Sequence, residues 1–439
     1  MRGLGELTKT TGVLLAMWLA LGLVGWLAGA FPDAAPTPLD GGAERDAEVA
    51  SSDDAASLDA GPEPDAWVAP AEPPPPPPGP TTTILCAAPD DVRWARGDLA
   101  GDERAESIVG CADGPQLFGF VGDGALVRIA RFTPIRPTPL GDAAFADVDG
   151  DGRRDLLLAM GEGLFWIPRD ASGGLAEPQV LAPARHGALA TASMDASPGE
   201  EIVVVHGEAP RPELWLFRGG SAPVHTATVP APLDTVALAI LDLDVDGHLD
   251  IVAVGAQQVL LAFGDSRGGF TRTRSLTPGG RGVFVREGQR PEVLIEREDG
   301  ACTLTPAPEL ADGGACVPLD GVGGEVRGLA TTGDGRLVGW RHPNLVVWSE
   351  ARWELAATLA TTRFGVHRFA LETRADATSV WLLGSAARDE ARALELVSIP
   401  FATTSTTSEP FVLRDGAAQG VADGPMPLAV ALPDPNTPR

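Results

Sequence analysis

Lysine and tyrosine are what this 439-residue chain most conspicuously lacks. Lys9 is its only lysine, tyrosine is absent, and Asp plus Glu outnumber Lys plus Arg by 60 to 33, for a formal net charge of -27. So acidic a surface argues against nucleic acid as a partner, because a phosphate backbone needs a basic face. It argues equally against a polybasic grip on anionic lipid. The abundance of Ala, Arg, Gly and Pro has the look of GC-rich bacterial coding, so the missing lysines carry no mechanistic meaning. Also absent are a nucleophile elbow, a paired zinc motif, a phosphate loop and a dinucleotide fingerprint. The histidines His186, His206, His225, His248, His342 and His367 are scattered, with no pair at ligand spacing. No catalysis is expected.

One long hydrophobic run is present, from Gly12 to Ala30, with Arg2 and Lys9 before it. This is the layout of a secretory signal, and Ala28-Gly29-Ala30 offers a small-residue cleavage site. The run is also long enough to span a bilayer, so cleaved signal peptide and uncleaved anchor both stand for residues 1–30. Either places the bulk of the chain in the periplasm or cell envelope, or outside the cell; only 12–30 would touch membrane. Residues 31–80 are Ala, Asp, Glu and Pro, ending in the proline run Pro73 to Pro78. Nothing in them offsets the entropy of folding, which predicts a disordered acidic linker that stiffens to polyproline II at its end.

From about Thr81 no long amphipathic helix pattern occurs. Short apolar runs alternate with Gly, Pro and Asp turns, as in an all-β domain. One phrase appears twice: Asp147-Val-Asp149-Gly-Asp151-Gly-Arg153-Arg-Asp155 and Asp242-Leu-Asp244-Val-Asp246-Gly-His248-Leu-Asp250, each followed by a strand-like run. Weaker copies end at Glu106 and Glu201, and fainter ones at Glu292, Arg336 and Ser379. The spacing along this series is 42 to 49 residues. Each unit has room for four strands, which is the arithmetic of a β-propeller blade, here seven times over across 81–432. Residues 433–439 are read as a tail. Which terminal strand closes the ring is left open between Thr82–Cys86 and the runs near Phe411 and Leu428.

A loop with oxygen ligands at alternate positions, followed by a hydrophobic strand and repeated at this interval, resembles the FG-GAP or VCBS repeat family. Those are the calcium-loop blades of the integrin α-chain propeller and of many bacterial surface proteins. The resemblance implies Ca2+ in two sites: Asp147, Asp149, Asp151, the Arg153 carbonyl and Asp155, then Asp242, Asp244, Asp246, the His248 carbonyl and Asp250. Read from the residues alone, four carboxylates within nine positions repel one another unless a cation separates them. The plainer alternative is an Asp-rich turn with solvated charges. No flanking helix and no glutamate at position twelve are present, which excludes an EF-hand. The expected role of the metal is structural.

Four cysteines in an extracytoplasmic chain suggest disulfides, and local pairs Cys86–Cys111 and Cys302–Cys316 are the economical choice of three connectivities. Cys86 and Cys111 are both assigned to the first blade. The expected function is a monomeric binding, adhesion or structural module with a protein or polysaccharide ligand. The alternatives are a hydrolase or lyase with an acidic site on a propeller face, and an anchored sensor or assembly subunit.

Overall fold

The apolar runs that follow the loops form strands buried on both faces. In the computed structural model, Glu106–Cys111, Asp155–Met160 and Asp250–Gly255 are buried at every position. A strand between two neighbours has no polar face, so the run is continuous rather than alternating. The structure describes residues 81–436, with breaks at 122–124, 208–209, 266–267, 287–290, 299, 312–314, 324–326, 332–335, 343, 350–351, 360–363, 374–377, 389–390, 402–410 and 414–418. The signal or anchor segment and the acidic linker lie outside the described residues. Among those described, no helix is long and apolar enough to cross a membrane.

Seven antiparallel sheets follow one another as blades of a propeller. Their second strands begin at Glu106, Asp155, Glu201, Asp250, Glu292, Leu337 and Thr378, in step with the sequence repeat. The inner strands, from Trp94–Gly97 to Phe364–Thr373, meet in succession around a hub.

The core lies between blades. Alternate residues of one strand serve two interfaces, as period-two geometry requires. Leu156 and Leu158 pack with Ile108, Leu117 and Phe132 of blade one. Leu157 and Ala159 pack with Ile202 and Val204 of blade three. Val203 and Val205 then pack with Ile251 and Ala253 of blade four. Burying each such side chain is worth about 1.5–3 kcal/mol.

Ring closure is made by the N-terminal strand. Thr81–Ala87 pairs antiparallel with Ala391–Phe401 and supplies the outer position of blade seven. Cys86 therefore belongs to the last blade, not the first. The Cys86–Cys111 disulfide bridges the seam, because Cys111 ends the second strand of blade one. The sequence misassigned Cys86 because its 25-residue separation from Cys111 is also what one blade would give. Cys302–Cys316 is a local staple in blade five.

Three sheets carry a fifth strand. Phe411–Leu413 runs parallel to the outer strand of blade six, Gln419–Gly420 lies beside Thr81–Ala87, and Ala422–Ala431 runs parallel to the outer strand of blade one. Leu432 is buried and donates its N–H to Thr133. A side chain at Gly163 in blade two would meet Pro435 at 3.3 Å, so the start of the expected tail runs against that blade.

Candidate functional site

Two regions hold chemistry: the loops between inner and second strands, and the hub.

In blades one, two and four the loop begins with an aspartate that folds the chain around its own carboxylate. Asp147 accepts N–H bonds from Gly150 at 2.8 Å, Asp151 at 3.0 Å and Gly152 at 2.9 Å. Asp98 in blade one does the same with Gly101, Asp102 and Glu103, at 2.6, 3.1 and 3.0 Å. Positions four and six turn left-handed, at Gly150 and Gly152, Gly101 and Glu103, Val245 and Gly247. Val245 is the exception in chemistry: a β-branched residue held at φ 59°, where glycine is the natural occupant. Position five caps position seven, as in Asp151 with Arg153 N and Asp246 with His248 N, both 2.8 Å.

The closing acid turns inward. Asp155 accepts from Val148 N at 3.3 Å, Trp166 Nε1 at 2.8 Å and Arg169 N at 2.8 Å. Asp250 accepts from Leu243 N and Gly264 N, both at 2.7 Å. Glu106 takes Leu99 N at 2.7 Å and Glu201 takes Met194 N at 2.6 Å, although neither loop has the full acid set. Burial pushes the Asp155 carboxyl above its ordinary range against these donors, and pushes Asp250 to about 6.

The residue at position two joins neighbouring blades. Its side chain is buried at Leu99, Val148 and Leu243. Its carbonyl accepts a bond from the next blade: Arg169 Nη1 to Leu99, Gly220 N to Val148 at 2.6 Å, Ala307 N to Leu243 at 2.8 Å.

Loop geometry thus accounts for positions one, five and nine. Position three is different. Asp149 and Asp244 stand with their neighbours in two triplets, Asp147–Asp149–Asp151 and Asp242–Asp244–Asp246, whose oxygens lie within 4.8 Å of one another. These are the only such clusters among the described residues. Asp155 and Asp250 lie outside the triplets. Asp244 Oδ1 is buried and has no hydrogen-bond partner. Burial first, and then the adjacent aspartates, raise the Asp149 and Asp244 carboxyls. In blade three the same position is Asp195, with Arg218 Nε on it at 2.9 Å, and in blade four Arg272 Nη2 reaches Asp244 Oδ2 at 3.3 Å. A guanidinium there occupies the place of a counter-cation. Asp149 Oδ1 accepts Asp151 N at 3.2 Å, so the acceptor that fits a hard cation best is the buried Oδ1 of Asp244.

The hub holds what the sequence did not single out. A cavity of about 540 Å³ is bounded by residues of all seven blades, from the early part of the inner strands. The Asp loops leave the opposite ends of those strands. Irregularities in pairing fall at one level: between Leu140 and Asp142, His186 and Leu189, Thr235 and Ala237, Arg327 and Leu329, Val366 and Arg368. Such bulges re-aim side chains. They place Asp142 and Arg368 at equivalent positions in blades two and seven. Asp142 accepts Ala143 N at 2.9 Å and Leu189 N at 3.0 Å, and burial raises its carboxyl. Glu296 accepts Arg281 Nε and, at 3.0 Å, Gly328 N.

Three histidines that look scattered in sequence meet in blade three. His186 pairs with His206 in register, their rings 4.9 Å apart; Trp215 stacks on His206 at 3.5 Å and lies 4.7 Å from His225. His186 is buried, and burial with the adjacent His206 pulls it down to about 4. Strand register, not spacing, brings them together.

No family model matches the chain. No curated protein matches it either. Solved structures similar in fold include BBS1N in complex with ARL6DN, 13% identical over 73% of this chain and 94% of that one, TM-score 0.46. An Agrocybe aegerita lectin that recognises non-reducing terminal N-acetylglucosamine is 15% identical over 66% and 90%, TM-score 0.45. The AfRom2 CNH domain is 10% identical over 74% and 100%, TM-score 0.46.

Proposed function

We propose that this chain is an extracytoplasmic binding module: a propeller of FG-GAP or VCBS type, stapled by two calcium ions, that presents its hub to a protein or glycan ligand and performs no catalysis. The observation that carries the reading is the hub cavity, open to solvent and charged on a protein otherwise pinned at its rim. Both hub acids, Asp142 and Glu296, are committed to N–H donors, which suits recognition better than proton transfer. Two disulfides fit an oxidising compartment.

Asp147, Asp149 and Asp151 would hold one ion and Asp242, Asp244 and Asp246 the other, with Asp155 and Asp250 shaping the loops from behind. The partnerless Asp244 Oδ1 supports this. The loops lie away from the hub, so the ion's role is to fix the rim rather than to touch ligand.

The test has two arms. Calorimetry and melting in calcium and in chelator examine the staples: saturable calcium binding with a raised Tm is expected, and no heat with an unchanged Tm overturns them. Screening the full chain on glycan arrays and against envelope extracts examines the binding role. Failure to retain any glycan or protein would move the assignment to a structural part.

A further inference from the structure

Among the described residues that line the hub, one guanidinium has no carboxylate partner. Arg93 directs Nε and Nη2 at Asp91 Oδ2, at 3.0 and 2.9 Å. Arg281 is paired with Glu296. Asp142 and Glu296 have both carboxylate oxygens occupied. Arg368 differs. Among the described residues its side chain makes one hydrogen bond, a 3.5 Å contact from Nη1 to the neighbouring His367 carbonyl. No described carboxylate comes within 4.0 Å of it.

The setting favours an incoming acceptor. The irregularity at His367 carries Arg368 to the level where Asp142, Leu189, Ala237 and Leu329 stand on other inner strands. Solvent reaches the side chain from the cavity. Desolvation first, and then the like charge of Arg93, depress its basicity against the more distant pull of Asp91, Asp142 and Glu296, and an anion in direct contact would offset that cost. A guanidinium fork offers two parallel bonds to a carboxylate or phosphate. Leu189, Leu238, Val283 and Val366 line the same space and can cover a carbon body. The volume is that of a small-molecule site. Asp142 and Glu296 would repel an extended polyanion, so a small, singly or doubly charged organic ligand fits best.

We propose that the hub cavity binds a small organic oxyanion, with Arg368 as the residue that receives it. This rests on the binding-module reading and supplies its ligand chemistry. The shared chemistry is an oxyanion on a carbon skeleton, and the experiment separates its two sources.

Full-length protein is titrated by calorimetry and by tryptophan fluorescence, since Trp94 and Trp340 line the cavity. The probes are D-glucuronate and succinate for carboxylates, glucose 6-phosphate for phosphates, and glucose as the neutral control. Saturable binding of one charged class and not of glucose is expected. Arg368→Gln should weaken it at least about tenfold, the worth of one charge-assisted contact. Arg368→Lys should fall between, keeping charge but losing the fork. Arg131→Gln, on the outer strand of blade one beside Asp113, should leave binding unchanged. Absence of binding by every oxyanion overturns the proposal, as does equal binding by wild type and Arg368→Gln. Binding of glucose or of an array glycan without these oxyanions sinks the oxyanion assignment and leaves the binding module standing. Should Arg368→Gln fail to fold, the Lys variant decides alone: undiminished affinity overturns the bidentate role.

Discussion

Blades one to four and blades five to seven share a strand plan but are held by different means. In the first group a closing acid at 106, 155, 201 or 250 receives the position-two N–H of its loop. In blade five the equivalent Glu292 faces Arg286 across the strand pair at 3.4 Å. From there the sequence has no acid triplet, and the holding passes to other devices. They are the Cys302–Cys316 staple, the added strand Phe411–Leu413, and the closing strand with its Cys86–Cys111 bridge. The comparison shows that the loop architecture does not depend on the acid triplet. Blade one keeps the turns and the closing acid with Ala100 at position three.

The largest expected effect lies at the seam. Cys86→Ser with Cys111→Ser should cost about 2–5 kcal/mol. Hydrogen exchange should rise first in 81–87 and 391–401 while blades two to four stay protected. A uniform rise across all blades would contradict the seam's special place. Next comes the separation of acid from ion. Glu201→Gln should cost about 1–3 kcal/mol, equally in calcium and in chelator, because a buried N–H or hydroxyl loses its acceptor. Asp244→Asn should cost little in chelator, where only the Arg272 contact weakens, but remove the second site's share of the calcium-induced rise in Tm. If both variants respond to calcium alike, the two functions of the loop are one.

The third prediction concerns pH. The Asp250 carboxyl is raised in the folded state, so without metal its contribution favours folding at low pH and is lost as pH climbs from about 4 towards about 6. Asp149 and Asp244 are raised in the same direction. Calcium needs the ionised acids and opposes that loss, so its Tm increment should be larger at about pH 7.5 than at about pH 5. An increment independent of pH would dissociate the ion from these carboxylates. The smallest effect is at Val245. Its left-handed backbone should make Val245→Gly stabilising by about 0.5–1 kcal/mol, net of the entropy that glycine adds to the unfolded chain. Chemical denaturation would read it.

The repeat was legible because each blade must bury its second strand on both sides, which writes an apolar run every 42 to 49 residues. The loops were legible for the same local reason: Asp147, Gly150 and Gly152 answer one another within six positions. The hub was not. Arg93, Asp142, Arg281 and Arg368 come from different blades, and pairing irregularities around Gly141 and His367 set the level of Asp142 and Arg368. Cys86 was misplaced because chain proximity stood in for sheet membership. The meeting of His186 with His206 depends on register, which no spacing rule encodes.

The seam also sets an order of events. Of the described strands, Thr81–Ala87 is synthesised first and finds its partner last, with Thr81 beside Ser398. Through most of translation this strand has nothing to close against, and the growing arc of blades ends in an unpaired edge. Cys111, by contrast, emerges almost at once after Cys86. A thiol oxidised early would tether the waiting strand to the first blade, so that the last hairpin docks onto a site already in place. Closure would then be a short-range search, where sequence distance alone would have made it the slowest contact in the chain.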